Sequence, residues 1–165
     1  LVNSAAIDNP PGTDATFFGN LERILQVNLM GACYMSEAVI PLMIRRGGGV
    51  IVHIGSIMGN IGADRRNYPP GFEKPVAYGL SKAALIQLSR SITTQYGRYG
   101  VRSVTCAFGP LDAGLPEEFK AKFLKNVPLG RAISEASWRA ALRFAVQCPE
   151  FAGQQVLVDG GYVAL

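Results

Sequence analysis

Apolar positions along this chain follow two rhythms that take turns. From about position 17 to 46, Leu21, Ile24, Leu25, Leu29, Met35, Val39 and Met43 recur at helical spacing, which predicts a helix. Asp14 and Thr16 are its cap candidates, Pro41 kinks or divides it, and Gly47-Gly48-Gly49 ends it. The β-branched run Val50-Ile-Val-His-Ile54, closed by Gly55-Ser56, then reads as a strand. A second helix is predicted over about 76–99 and a second strand over 101–108, broken by Gly109-Pro110. A short amphipathic helix over about 116–125 and a longer one over 134–147, capped by Ser134, lead to the strand Val156-Leu-Val158 and the turn Asp159-Gly160-Gly161. At the start, residues 1–7 read as the end of a short buried strand running into a loop, and 8–13 supply the turn chemistry. Strands alternating with helices predict an α/β fold with a parallel sheet covered on both faces. Residues 57–75, rich in Gly and Pro, form a loop long enough to imply a task.

The 165 residues suit one domain with a real core, at 48% hydrophobic content. No continuous apolar run approaches the ~18 residues of a membrane span and no secretory leader pattern opens the chain, so a cytoplasmic location with no membrane contact is expected. Cys33, Cys106 and Cys148 are far apart, which argues against a disulfide framework or a metal cluster. The net charge of +4 is carried by scattered basic pairs mixed with acids, which argues against a nucleic-acid surface.

Ligands in such sheets bind beyond the carboxyl ends of the strands. That rule gathers Ser56, after the strand at 50–54, with Tyr78 and Lys82, one helical turn apart at the start of the helix at 76–99, and with Gly109-Pro110. A cation beside a phenol favours the phenolate, so Lys82 is expected to lower the pKa of Tyr78 and make it a proton carrier near neutral pH. Asn28, polar among apolar neighbours in mid-helix, needs a partner. His53, the single histidine, lies inside a strand and is expected to be packed rather than catalytic.

With these motifs in order, the sequence resembles the short-chain dehydrogenase/reductase family over essentially its whole length. LVNSAAI resembles the family's Asn-Asn-Ala-Gly strand, VNLMGA its catalytic-asparagine helix, and GGGVIVHIGSIMG its serine strand. YGLSK resembles its Tyr-x-x-x-Lys, and FAGQQVLVDGGY its closing segment. The resemblance implies a Rossmann-like doubly wound parallel sheet, here incomplete, with about four parallel strands in a single partial domain. It implies hydride transfer between NAD or NADP and a small carbonyl or secondary alcohol. Tyr78 is then the acid/base, Lys82 holds the nicotinamide ribose, Ser56 binds the substrate oxygen and Asn28 supports a water-linked proton path. Asn3 is the strand-tying asparagine near the cofactor, and the turn at Gly109 and Leu111 touches the carboxamide. A homodimer or homotetramer is implied as well.

Three features depart from the family pattern. No glycine-rich phosphate loop is present, and by analogy roughly 80 residues with the first strands and helices are expected upstream, including the group that selects NAD or NADP. The Ser56–Tyr78 interval is longer than the family's, and its Arg65 and Arg66 suit an anionic substrate group. That insertion, with LPEEFKAKFLKNVPLGR, is similar to the branch associated with bacterial surface-sugar synthesis. Gly109-Pro110 reverses the family's Pro-Gly. Two other functions fit the residues: a non-catalytic relative that joins a complete protomer, and an anionic-ligand binding protein. Either way the strand at 1–7 is expected to have a bare edge that makes the isolated chain marginal or oligomeric.

Overall fold

The computed structural model describes residues 1–9, 16–68, 70–72, 74–111 and 117–164; the cap candidate Asp14 lies outside them. Four strands, β1 (Val2–Asn3), β2 (Gly49–Ile54), β3 (Val101–Phe108) and β4 (Gln155–Val158), form one sheet in the order β1-β2-β3-β4, every neighbour parallel. Parallel neighbours need crossovers, and the helices supply them. Helices α1 (Leu21–Leu25) and α2 (Gly31–Arg45) are joined without a break by a π turn, Gln26–Met30. Next come α3 (Val76–Tyr96), α4 (Glu117–Leu124) and α5 (Glu135–Gln147).

Side-chain alternation along the strands builds two cores. Val52, Val104, Cys106 and Phe108 face Ala141 and Ala145 of α5 on one side of the sheet. Ile51 and Val101 meet Ile40 of α2 and Ile92 of α3 on the other. A third cluster, Ile57, Phe123, Val127 and Tyr162, joins the loop after β2 to α4 and the C-terminal turn. The sheet is thus covered on both faces, as the alternating pattern predicts.

The differences from the sequence pattern have local causes. β1 is short and runs into a loop, where Ile7 bonds Asn28 through both its backbone groups. Thr16 does not cap the first helix; its carbonyl accepts from Gly19 N in a turn at 2.8 Å, and the helix starts after Asn20, which is left-handed at φ 54°. Pro41 is carried inside α2 without ending it. The continuous 25-residue helical run Leu21–Arg45 is long and apolar enough by length and composition to cross a bilayer. Its Ile40 is instead part of the core over the sheet, and it includes Glu22, Arg23 and Glu37, so it serves here as a layer helix.

The 57–75 segment holds two 3₁₀ turns, Ile57–Gly59 and Arg65–Asn67. Asn67, 2% exposed, anchors it: its Nδ2 donates to Tyr162 Oη at 3.0 Å, and its Oδ1 accepts from Asn126 Nδ2 at 3.0 Å. Asn67→Ala leaves both partners without that bond in a buried place and should cost about 1–3 kcal/mol, read as a lower urea midpoint with an unchanged slope.

Candidate active site

The site begins with how α3 is held. Its buried stripe, Ala77, Ser81, Leu85, Ser89 and Ile92, is unusually polar and small for a core helix. Hydroxyls use this to fasten it to β3: Ser89 Oγ and Thr105 Oγ1 are 2.9 Å apart, and Thr93 Oγ1 accepts from Ser103 N at 2.9 Å. The later turns of α3 are thereby fixed against β3, and Lys82 in its second turn bonds Ile54 O at the end of β2. Gly59 and Gly79 then let the turn after β2 lie directly on that helix. A Cβ on Gly59 would stand 2.8 Å from the carbonyl carbon of Lys82, and one on Gly79 would stand 3.0 Å from Met58 O. This approach brings Ser56, extended at φ −157°, to the side of α3 that carries Tyr78, where its hydroxyl acts on the phenol.

Lys82, 4% exposed, lies behind them. Its Nζ donates to Ile54 O at 2.9 Å and stands 5.5 Å from the centroid of the Tyr78 ring. A second cation, Lys74 Nζ, lies 4.7 Å from the same centroid and is ion-paired with Asp8. Neither Lys74 nor Asp8 stands out in the sequence, where residue 8 reads only as part of a turn.

Asn28, 2% exposed, sits inside the π turn. π turns interrupt α-helices at sites with special demands, and here the turn aims an amide at the loop after β1. Oδ1 accepts from Ile7 N at 2.7 Å, while Nδ2 donates to Ile7 O at 2.9 Å and Ser81 Oγ at 3.2 Å. Ser81 Oγ in turn donates to Tyr78 O at 2.7 Å. Both Nδ2 donors of Asn28 are thus committed, one of them to the Ser81 hydroxyl that holds the Tyr78 backbone, while Oδ1 accepts a single bond. Asn3 Nδ2 lies 3.2 Å from His53 Nδ1, its register partner on β2, and 3.5 Å from Ser36 Oγ. It ties strand to strand and strand to helix. His53 is fully buried, and that burial pushes its pKa down to about 4.

The electrostatics correct one expectation. The Tyr78 pKa is raised rather than lowered: burial dominates, the Ser56 hydroxyl acts downward, and the Asp8 carboxylate adds an upward push. A cation 5.5 Å from the ring and turned toward Ile54 does not outweigh desolvation. Burial also brings Lys82 down to about 8, against an opposing upward pull from Asp8.

Two openings lie at this group, one reaching Tyr78 and the other Lys82. A cavity of about 610 Å³ in front of Tyr78 is walled by Phe17, Met58, Ile61, Tyr68, Phe72 and Leu80, with Arg65 and Lys74 on its lining. A smaller cleft of about 240 Å³ at the β1 edge is lined by Asn3, Ser4, Asn28, Ile54 and Lys82. The paired arginines part company. Arg65 lines the cavity, whereas Arg66 is 86% exposed and bound to Asp64 at 2.8 Å. Gly109 N donates to Val158 O at 2.9 Å within the sheet, so its N–H is committed. Leu111 bridges to Ile133 and is half-exposed. Among the described residues no group of three or more His, Cys, Asp or Glu could hold a metal ion.

A doubly wound parallel sheet with serine, tyrosine and lysine on its C-terminal rim is the arrangement of a Rossmann-type oxidoreductase. Residues 1–163 match the family model described as enoyl-(acyl carrier protein) reductase. An uncharacterized oxidoreductase of Thermotoga maritima is 32% identical across 100% of this chain and 67% of its own length. Human 3-oxoacyl-[acyl-carrier-protein] reductase is 30% identical over 98% of this chain and 65% of its own. A crystal structure of a short-chain dehydrogenase from Leptospira borgpetersenii with bound NAD+ superposes with a TM-score of 0.86 at 28% identity, over 99% of this chain and 64% of that one. The chain belongs to the short-chain dehydrogenase/reductase family, and it spans about two thirds of the length of the curated relatives it matches.

Proposed function

We propose that this chain carries the reaction centre of an NAD(P)-dependent oxidoreductase acting on a small carbonyl or secondary alcohol, with Tyr78 as the proton-transferring group. One observation carries the reading: Tyr78 is backed by the buried cation Lys82, 5.5 Å from its ring centroid, and opens on a cavity large enough for a small substrate. Nicotinamide supplies or accepts the hydride when bound. The residues of the β1 cleft fit its near end. Lys82 has ammonium donors beyond the one given to Ile54, suited to ribose hydroxyls, and Asn3, Ser4 and Leu111 lie on the same rim.

The chain's own residues then divide the work. Tyr78 presents its hydroxyl to a substrate oxygen entering the cavity it lines, and Ser56, on the turn packed against α3, is the second donor; such donors favour the charge that develops as the carbonyl is reduced. With its pKa raised, Tyr78 is protonated at neutral pH, the form that donates in the reductive direction. Lys82 steadies the oxygen's developing charge from behind, and Asn28 holds the Tyr78 turn in place through Ser81. Exposed Tyr34, Met35 and Leu42 on α2 favour association with a second copy.

The test is oxidation of NADH or NADPH by the natively encoded protein across a panel of small ketones. A panel that leaves both nicotinamides unconsumed overturns the reading. Asp8 gives a pH signature. It raises the pKa of both Tyr78 and Lys82, so Asp8→Asn lowers both, and it frees Lys74 to act in the same direction on the phenol. The basic limb of kcat/KM against pH should move to lower pH in Asp8→Asn.

A further inference from the structure

Resting on this reading of the site, we infer that the substrate carries an anionic group, a carboxylate or a phosphate, that Arg65 binds on the wall of the cavity that Tyr78 also lines. The wall itself is mostly apolar, so a charged side chain in it calls for an explanation. The two other cations of the same loops are already engaged. Lys74 is paired with Asp8, and Arg66 is clamped by both oxygens of Asp64, with Nε and Nη2 at 2.8 to 3.1 Å. Among the described residues no acid pairs with Arg65.

Its backbone is also held on both sides. Asp64 caps the 3₁₀ turn by accepting from Arg66 N at 2.9 Å, and Asn67 is bonded to Tyr162 and Asn126. The turn is fixed, while the guanidinium between its anchors stays exposed to the cavity and to solvent. A planar fork of donors in that position suits an oxyanion group in two-point contact. Tyr68 and Phe72, stacked with centroids 5.3 Å apart, line the same cavity and suit an apolar body between the anion and the reacting carbon.

The probes are matched pairs in the natively encoded protein: levulinate and its two next longer homologues, each against its primary amide, and dihydroxyacetone phosphate against dihydroxyacetone. Binding is read by calorimetric titration and turnover by nicotinamide oxidation. At least one anionic member should bind about 10- to 100-fold more tightly than its neutral partner, as a charged hydrogen-bonded contact provides. Arg65→Gln should remove that preference and leave the neutral partner unaffected, and Arg65→Lys should restore part of it. The carboxylate and phosphate arms tell which anion is meant. Equal binding of both members of every pair, or a preference that survives Arg65→Gln, overturns the inference. The binding arm decides this whether or not the probes turn over, so failure of the oxidoreductase reading shows separately, as binding without nicotinamide oxidation.

Discussion

Tyr78→Phe in the natively encoded protein should lower kcat by about 10²- to 10⁴-fold, the range over which a positioned proton donor acts. The substitution removes one oxygen from a ring whose surroundings are otherwise kept: Lys74 and Lys82 still lie against its face, and Ser81 still bonds the backbone at residue 78. Ser56 keeps the bond it accepts from Met58 N at 3.2 Å. Binding of the reduced nicotinamide should therefore change by less than about two-fold, because the cleft that fits it is lined by Lys82 and Asn28 rather than by the phenol. Stopped-flow single turnovers separate the two quantities. A kcat within a few-fold of the parent would assign the proton to another group.

How much of this was legible in the chain depends on how local each cause is. The order of strands and helices follows from periodicity, which is a near-neighbour property, and the parallel sheet follows from that order. The four-residue spacing of Tyr78 and Lys82 and the position of Ser56 at the end of β2 are equally local, so these residues could be named from the sequence. The sign of the Tyr78 pKa could not be. It depends on burial by segments from the far ends of the fold, and on Asp8, whose ion pair with Lys74 joins residues 66 positions apart.

The arginine pair shows an intermediate case. Asp64 stands two residues before Arg66, the spacing at which a carboxylate accepts from a backbone N–H and caps a turn. That signal was present and assigns Arg66 to the turn. Which way Arg65 then faces depended on the Asn67–Tyr162 bond, formed across 95 positions. Likewise, Gly59 and Gly79 look like ordinary loop and helix glycines in the sequence. Only the packed structure shows that their missing side chains let the serine turn rest on the helix that carries Tyr78.

Lys82→Met should reduce kcat/KM by about 10- to 100-fold, the worth of a charged hydrogen bond made in a water-poor place, and should weaken nicotinamide binding together with turnover. That joint loss separates it from Tyr78→Phe. Its second signature lies in stability. The Lys82 pKa falls to about 8 in the folded protein from an ordinary 10.5, so between these values the unfolded chain holds a proton that the folded one has released. Unfolding free energy contributed by this group must then rise with pH through that window and be flat below it. Lys82→Met, of similar length and without a proton to lose, should erase that rise, so the parent's urea midpoint climbs relative to the variant's between pH about 8 and 10.5 and runs parallel to it below. Activity lost without any change in the pH dependence of stability would mean that the ammonium is solvated in solution, and that its contact with Ile54 does not define the buried cation on which the proton-transfer scheme is built.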